Sequence, residues 1–141
     1  MGQYLSGQCL CGAIKYEVQG DIEKFYHCHC ERCRRASGTG HASNMVVAVQ
    51  SAEKIKWLQG EEYITRYKVP EAERFTNCFC RQCGGRVPRY AADMDKVVIP
   101  AGSLNSDPLM LPQARIFWDS RASWSCGAGE LPVFAEYPPN S

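Results

Sequence analysis

The chain has little that would send it toward a membrane, a nucleic acid or a helical bundle. No apolar run approaches the roughly 20 residues needed to cross a bilayer, and the first residues lack the basic-then-apolar layout of a secretory signal. The formal net charge over 141 residues is +1, so there is no bulk field to steer the chain onto nucleic acid or a membrane surface. No window of a dozen residues holds the i, i+3, i+4, i+7 spacing of an amphipathic helix; only Glu31 to Ala36 reads as a turn or two of helix. Linkers, low-complexity tracts and solenoid-length repeats are also missing, which leaves a single domain over residues 1–141 with its core within roughly residues 3–135. An even cysteine count is lacking as well: there are nine, so a disulfide framework would leave one thiol over. The expected setting is a reducing cytosol, where clustered thiols are more often metal ligands than disulfides.

What is present is strand periodicity. Ile14, Tyr16 and Val18 alternate with Lys15 and Glu17, the pattern of a half-buried strand. Tyr63, Thr65, Tyr67 and Val69 alternate with Ile64, Arg66 and Lys68 in the same way. Met45 to Val49 and Val97 to Ile99 are β-branched apolar runs expected to be strands buried on both faces. Gly and Pro punctuate these segments, and the sum is a small mainly β fold, with two sheets and metal sites at its loops. Met1-Gly2-Gln3-Tyr4-Leu5-Ser6 matches the loose myristoylation template, and is read as an accidental match in a short terminus.

The cysteines form three groups and an outlier. Cys9 and Cys11 make a Cys-x-Cys; Cys28, Cys30 and Cys33 make Cys-x-Cys-x-x-Cys; Cys78, Cys80 and Cys83 repeat that spacing; Cys126 stands alone. Zinc takes tetrahedral thiolates at about 2.3 Å, so its ligands must sit close together in space. Cys80 and Cys83, followed by Gly84 and Gly85, read as half of a four-thiolate site. The other half is a pair with no local third ligand: Cys9 and Cys11, likewise followed by glycine. Such a site has no exchangeable position and is structural. Cys28, Cys30 and Cys33 remain as three ligands with an open fourth position, the usual arrangement at a catalytic zinc. Cys78 as a fourth ligand, or three free thiols, are the plainer alternatives.

His27 and His29 interleave with Cys28 and Cys30 and would face away from a metal in an extended segment, so they read as packed or solvated side chains, with support of the metal ligands or an acid–base role as the alternative; His41 is read the same way. Arg32, Arg34 and Arg35 crowd Cys33, as a solvated helix face or as receivers of substrate carboxylates; Arg34 and Arg35 are the residues singled out for that contact.

These residues carry a resemblance. Gly7-Gln8-Cys9-Leu10-Cys11-Gly12, Cys28-His29-Cys30-Glu31-Arg32-Cys33-Arg34-Arg35, Phe79-Cys80-Arg81-Gln82-Cys83-Gly84-Gly85 and Ile99-Pro100-Ala101-Gly102-Ser103-Leu104 resemble, over nearly the whole chain, the glutathione-dependent formaldehyde-activating enzyme family, which shares its domain with centromere protein V. The resemblance implies a zinc-stapled β-sandwich, or beta-tent, similar to the zinc-bearing methionine sulfoxide reductases. It implies a structural zinc on Cys9, Cys11, Cys80 and Cys83, and a catalytic zinc on Cys28, Cys30 and Cys33. The activity implied is that of a carbon–sulfur lyase joining glutathione and formaldehyde reversibly as S-(hydroxymethyl)glutathione. Partners follow: a small thiol, with a homo-oligomer open and no membrane or nucleic acid expected. Where the family often carries a histidine near the C-terminus, this chain has Arg115 before Ile116; the later aromatic is kept as Trp124. Two rival readings are a non-catalytic zinc module that binds protein or nucleic acid, and a thiol redox enzyme of the methionine sulfoxide reductase type with Cys126 as nucleophile.

Overall fold

The computed structural model describes residues 2–125 and 128–139. Its organising element is one long strand. β1 (Gln3–Gln8) turns back into β2 (Lys15–Cys28), whose fourteen residues serve two neighbourhoods in succession. The first half of β2 pairs antiparallel with β1 on one side and β4 (Ile55–Gln59) on the other. The second half pairs with β3 (Ala42–Ala48) and, in parallel, with β9 (Ala114–Ile116). β3 continues the sheet to β8 (Lys96–Pro100) and β7 (Arg89–Ala91), giving a seven-stranded curled sheet. β5 (Ile64–Lys68) and β6 (Thr76–Cys80) form a separate two-stranded ribbon. The fold is thus mainly β and two-sheeted, as the periodicity indicates.

The curl has a local cause. The register between β2 and β3 shifts between Ile22 and Lys24, and bulges of this kind sharpen strand twist. Gly20 sits just before the shift, where a Cβ would stand 2.3 Å from the Ala48 carbonyl oxygen, so the strands cross closely only because no side chain intervenes.

The main core is built on one face of this sheet. Leu5, Tyr16, Val18, Met45, Val47, Val97 and Ile99 are buried together there, each worth about 1.5–3 kcal/mol for a full-sized side chain. Tyr16 is fully buried, its hydroxyl 2.7 Å from the Ser103 Oγ; desolvation pushes its pKa up to about 12, against the lowering effect of that hydrogen bond.

Two strand expectations need correction. Met45, Val47, Val97 and Ile99 are buried, but Val46 and Val98 on the opposite face are only half-buried, because that face forms the floor of a cavity. The alternation at Tyr63–Val69 marks no single buried face: Tyr67 is 56% exposed, and Tyr63 and Ile64, neighbours from the two expected faces, both pack against a core cluster. A two-stranded ribbon has no second layer to cover a whole face. The expected helical turn is α1 (Glu31–Ser37), which begins at Cys30 as N-cap and ends at Gly38 in the left-handed conformation. No helix among the described residues is long and apolar enough to cross a membrane.

Candidate metal centres and the adjoining cavity

The clustered cysteines sit where regular elements begin or end, or in the turns beside them. Cys9 and Cys11 occupy the turn between β1 and β2, closed by the Gly12 N–H donating to the Cys9 carbonyl at 3.2 Å. Cys80 ends β6 and Cys83 lies in the turn beyond it, where Gly84 takes φ +76°. Gly85 follows with the Leu10 backbone nitrogen 2.7 Å from the place a Cβ would occupy. The four sulfurs of Cys9, Cys11, Cys80 and Cys83 all lie within 4.8 Å of one another. Cys9 and Cys11 are 3.8 Å apart and Cys11 and Cys80 4.0 Å, close to the roughly 3.8 Å edge of a tetrahedron of thiolates around zinc at 2.3 Å. Backbone N–H groups of Ile14, Gln82 and Gly85 donate to the sulfurs of Cys9, Cys80 and Cys83 at 3.3, 3.4 and 3.3 Å, an arrangement that favours thiolates.

The second cluster is built from a strand end and a helix start. Cys28 is the last residue of β2, Cys30 caps α1 and Cys33 lies in its first turn. Their sulfurs also fall within 4.8 Å of one another, and among the described residues no other Cys, His, Asp or Glu joins them. Cys78, the alternative fourth ligand, is instead buried at 2% exposure in the core beside the four-cysteine cluster, with the Arg66 Nη1 3.6 Å from its sulfur. Burial pushes its thiol up. Cys126 lies outside the described residues.

Both clusters have the electrostatics of cation-binding sites. The Cys83 thiol is pulled down to about 6: desolvation opposes this as the largest influence, and hydrogen bonds from Gly85, Cys11 and Cys80 outweigh it. Cys11 is pushed up to about 11; a backbone bond at Ala13 opposes this most, but desolvation and its bonds to Cys83, Cys9 and Cys80 prevail. In the second cluster a hydrogen bond from Cys33 is the main force lowering Cys28 to about 6, while the same bond, burial and the charges of Cys28 and Cys30 drive Cys33 far up. Crowded sulfurs that cannot all ionise together can do so around a divalent soft cation, so both donor sets fit zinc.

The three-cysteine cluster opens into a cavity of about 530 Å³. Tyr26, Val46, Val98, Phe75, Ile116 and Phe117 supply its apolar wall. Its polar lining includes Asn44, Thr76, Glu31, Arg32, Arg86 and Arg89. Asn44 Nδ2 stands 3.9 Å from the Cys33 sulfur, while its Oδ1 is buried with no hydrogen-bond partner among the described residues. Arg34 and Arg35 do not line this cavity: Arg35 Nε pairs with Glu31 along the exposed helix face at 3.3 Å, and the Arg34 Nε is buried without a partner among the described residues. Asn44, Arg86 and Arg89 escaped the sequence reading. The β2–β3 and β7–β8 pairings and the bridge of Arg86 to Phe79 bring them near the cysteines, and no local motif announces those pairings.

The histidines are packed, as expected, but against one another. His27 stacks on His41 with ring centroids 4.1 Å apart, and His29 is fully buried 5.1 Å from His41 and 5.0 Å from Trp118. Arg115 Nη1 lies 3.2 Å from His29 Nε2; arginine can only donate, so Nε2 accepts and Nδ1–H faces the Ser125 Oγ at 3.3 Å. Desolvation first, then the charges of His41 and Arg115, lowers the His29 pKa and keeps the ring neutral. With its backbone N–H bonded to the Ile116 carbonyl at 2.9 Å, His29 fixes the segment between Cys28 and Cys30.

A family model described as Glutathione-dependent formaldehyde-activating enzyme matches residues 4–120. No curated protein matches the chain. Among solved structures, the crystal structure of a Rhodobacter sphaeroides protein is similar, with a TM-score of 0.57 at 22% identity over 78% of this chain and 97% of its own. At that identity the likeness is one of fold.

Proposed function

Because the chain belongs to the glutathione-dependent formaldehyde-activating enzyme family, we propose that it makes and breaks a carbon–sulfur bond between a small thiol, glutathione foremost, and formaldehyde or a related carbonyl compound. The observation that carries this reading is the contrast in ligand number: four thiols converge at one cluster and three at the other, and all three of the latter line the 530 Å³ cavity. In this reading Cys9, Cys11, Cys80 and Cys83 hold a structural zinc, and Cys28, Cys30 and Cys33 hold a second one. When bound there, zinc supplies a positive centre that favours a thiol as its thiolate and polarises a nearby oxygen.

The remaining work falls to the chain's own groups. The apolar wall of Tyr26, Val46 and Val98 excludes water from the reacting carbon. Asn44 Nδ2 holds to Cys33, which leaves the buried Oδ1 to accept a hydrogen bond from the hydroxyl of a hydroxyalkyl thioether. That contact orients the O–H whose proton must leave when the carbon–sulfur bond breaks. Arg32, exposed at the cavity, places positive charge beside the site and favours an anionic thiol such as glutathione. A cytosolic setting accords with eight free cysteines among the described residues.

The test is turnover of the glutathione–formaldehyde adduct by zinc-replete protein. Loss of turnover in Cys30→Ala and Cys33→Ala, with the four-cysteine zinc retained, is the expected result. Adduct equilibration no faster than in buffer for the unmodified protein would reject the formaldehyde assignment.

A further inference from the structure

The cavity above Cys28, Cys30 and Cys33 holds more recognition chemistry than a one-carbon unit uses. Val46 lies opposite Val98, and Val98 opposite Arg89, so these three residues form one row across β3, β8 and β7. Tyr26 and Asn44 are opposite one another two residues along. Formaldehyde has no apolar body to lay against such a wall, and burying an apolar group there is worth about 25 cal/mol per Å².

Charge is distributed just as unevenly. Arg86 is half-buried, and its Nε donates to the Asn77 Oδ1 at 2.8 Å, leaving its terminal nitrogens without a partner among the described residues. Arg89 and Arg32 have no hydrogen bond or ion pair among those residues, and Glu31, which also lines the cavity, is engaged by Arg35. Desolvation lowers the Arg86 pKa; the sulfurs of Cys33 and Cys78 oppose this, and the neighbouring charge of Arg89 adds to it. Two close guanidinium groups at an apolar cavity, neither paired with an acid, are costly to hold unless an anion arrives. Planar forks of this kind match a carboxylate.

We propose that this cavity binds a carboxylate joined to an apolar body, with Arg86 and Arg89 receiving the carboxylate and Val46, Val98 and Tyr26 receiving the body. Resting on the carbon–sulfur reading for the position of sulfur, the substrate class becomes a thiol adduct of an aldehyde larger than formaldehyde, bearing an acid group. In the cleavage direction the adduct R–S–CH(OH)–R′ gives its carbon–sulfur bonding pair to sulfur. The hydroxyl proton ends on that sulfur, and the products are R–SH and O=CH–R′. No oxidant or reductant is consumed.

The experiment is titration calorimetry on zinc-replete protein with 3-phenylpropionate, 3-phenylpropan-1-ol, propionate and inorganic phosphate. None of these contains a thiol or an aldehyde, so the outcome is independent of whether carbon–sulfur chemistry occurs. The acid is expected to bind at least about 10-fold more tightly than the alcohol, propionate or phosphate. Arg89→Gln and Arg86→Gln should each erase the preference for acid over alcohol, and Arg89→Lys should keep part of it, with the melting temperature tracked to confirm folding. Equal binding of acid and alcohol, a preference that survives in both Gln variants, or phosphate binding as tightly as the acid would each overturn the proposal.

Discussion

The two cysteine clusters use the same donor atom and differ in what surrounds it. The four-cysteine cluster ties the β1–β2 turn to the β6 turn, two points distant in the chain, and packs beside Ile14, Cys78 and Val87. The three-cysteine cluster is local, contained in the strand end and helix start of residues 28–33, and its free side is a cavity rather than core. A cross-link between distant segments removes far more disorder from the unfolded chain than a clip within six residues. In the proposed reading, stability therefore belongs to the first cluster and reactivity to the second.

Mutations should separate these roles, beginning with the most damaging. Cys80→Ala removes a fully buried ligand of the cross-linking cluster, and its cost should exceed the roughly 5–15 kcal/mol that holds a domain of this size together. Circular dichroism should show no cooperative melt, and a variant melting within a few degrees of the parent would dissolve the distinction. Cys30→Ala should behave oppositely: catalysis falls to background, yet the thermal midpoint moves by less than about 5 °C, since this ligand is half-buried and its site local. Gly85→Ala sharpens the contrast from the backbone side. Its Cβ would stand 2.7 Å from the Leu10 nitrogen and 3.3 Å from the Cys83 sulfur, so a loss of about 2–3 kcal/mol in denaturant unfolding is expected, with kcat unchanged in the folded fraction. Asn44→Ala should lower kcat by about 10-fold through the lost hydroxyl contact while leaving the melting curve in place. The smallest effect belongs to Cys78→Ala. Packed but outside both clusters, it should cost about 1 kcal/mol and leave the metal content as it was.

The cysteine geometry was legible in the sequence because it is carried by short spacings. Cys-x-Cys and Cys-x-x-Cys followed by glycine dictate turns, and the pairing of Cys9 and Cys11 with Cys80 and Cys83 is the grouping found in space. The helical turn read at Glu31 to Ala36 is α1 at residues 31–37. The cavity was not, because it depends on strand register. Val46 and Val98 read as core in any local window, and only their alignment with Arg89 turns that face into a binding wall. The arginines mislead for the same reason: Arg34 and Arg35 neighbour Cys33 in sequence, but Arg86 and Arg89 join it at the cavity. The histidines gave no sign of clustering, since His41 is brought to His27 and His29 by the pairing of β2 with β3.

The most direct measurement is zinc per chain on purified protein and on Cys30→Ala, each before and after exposure to a moderate chelator. Two zinc ions per chain are expected, falling to one in Cys30→Ala, with the remaining ion resistant to the chelator and the fold intact. A single ion unchanged by that substitution, or loss of both ions together with the fold, would contradict the division between a structural and a reactive cluster.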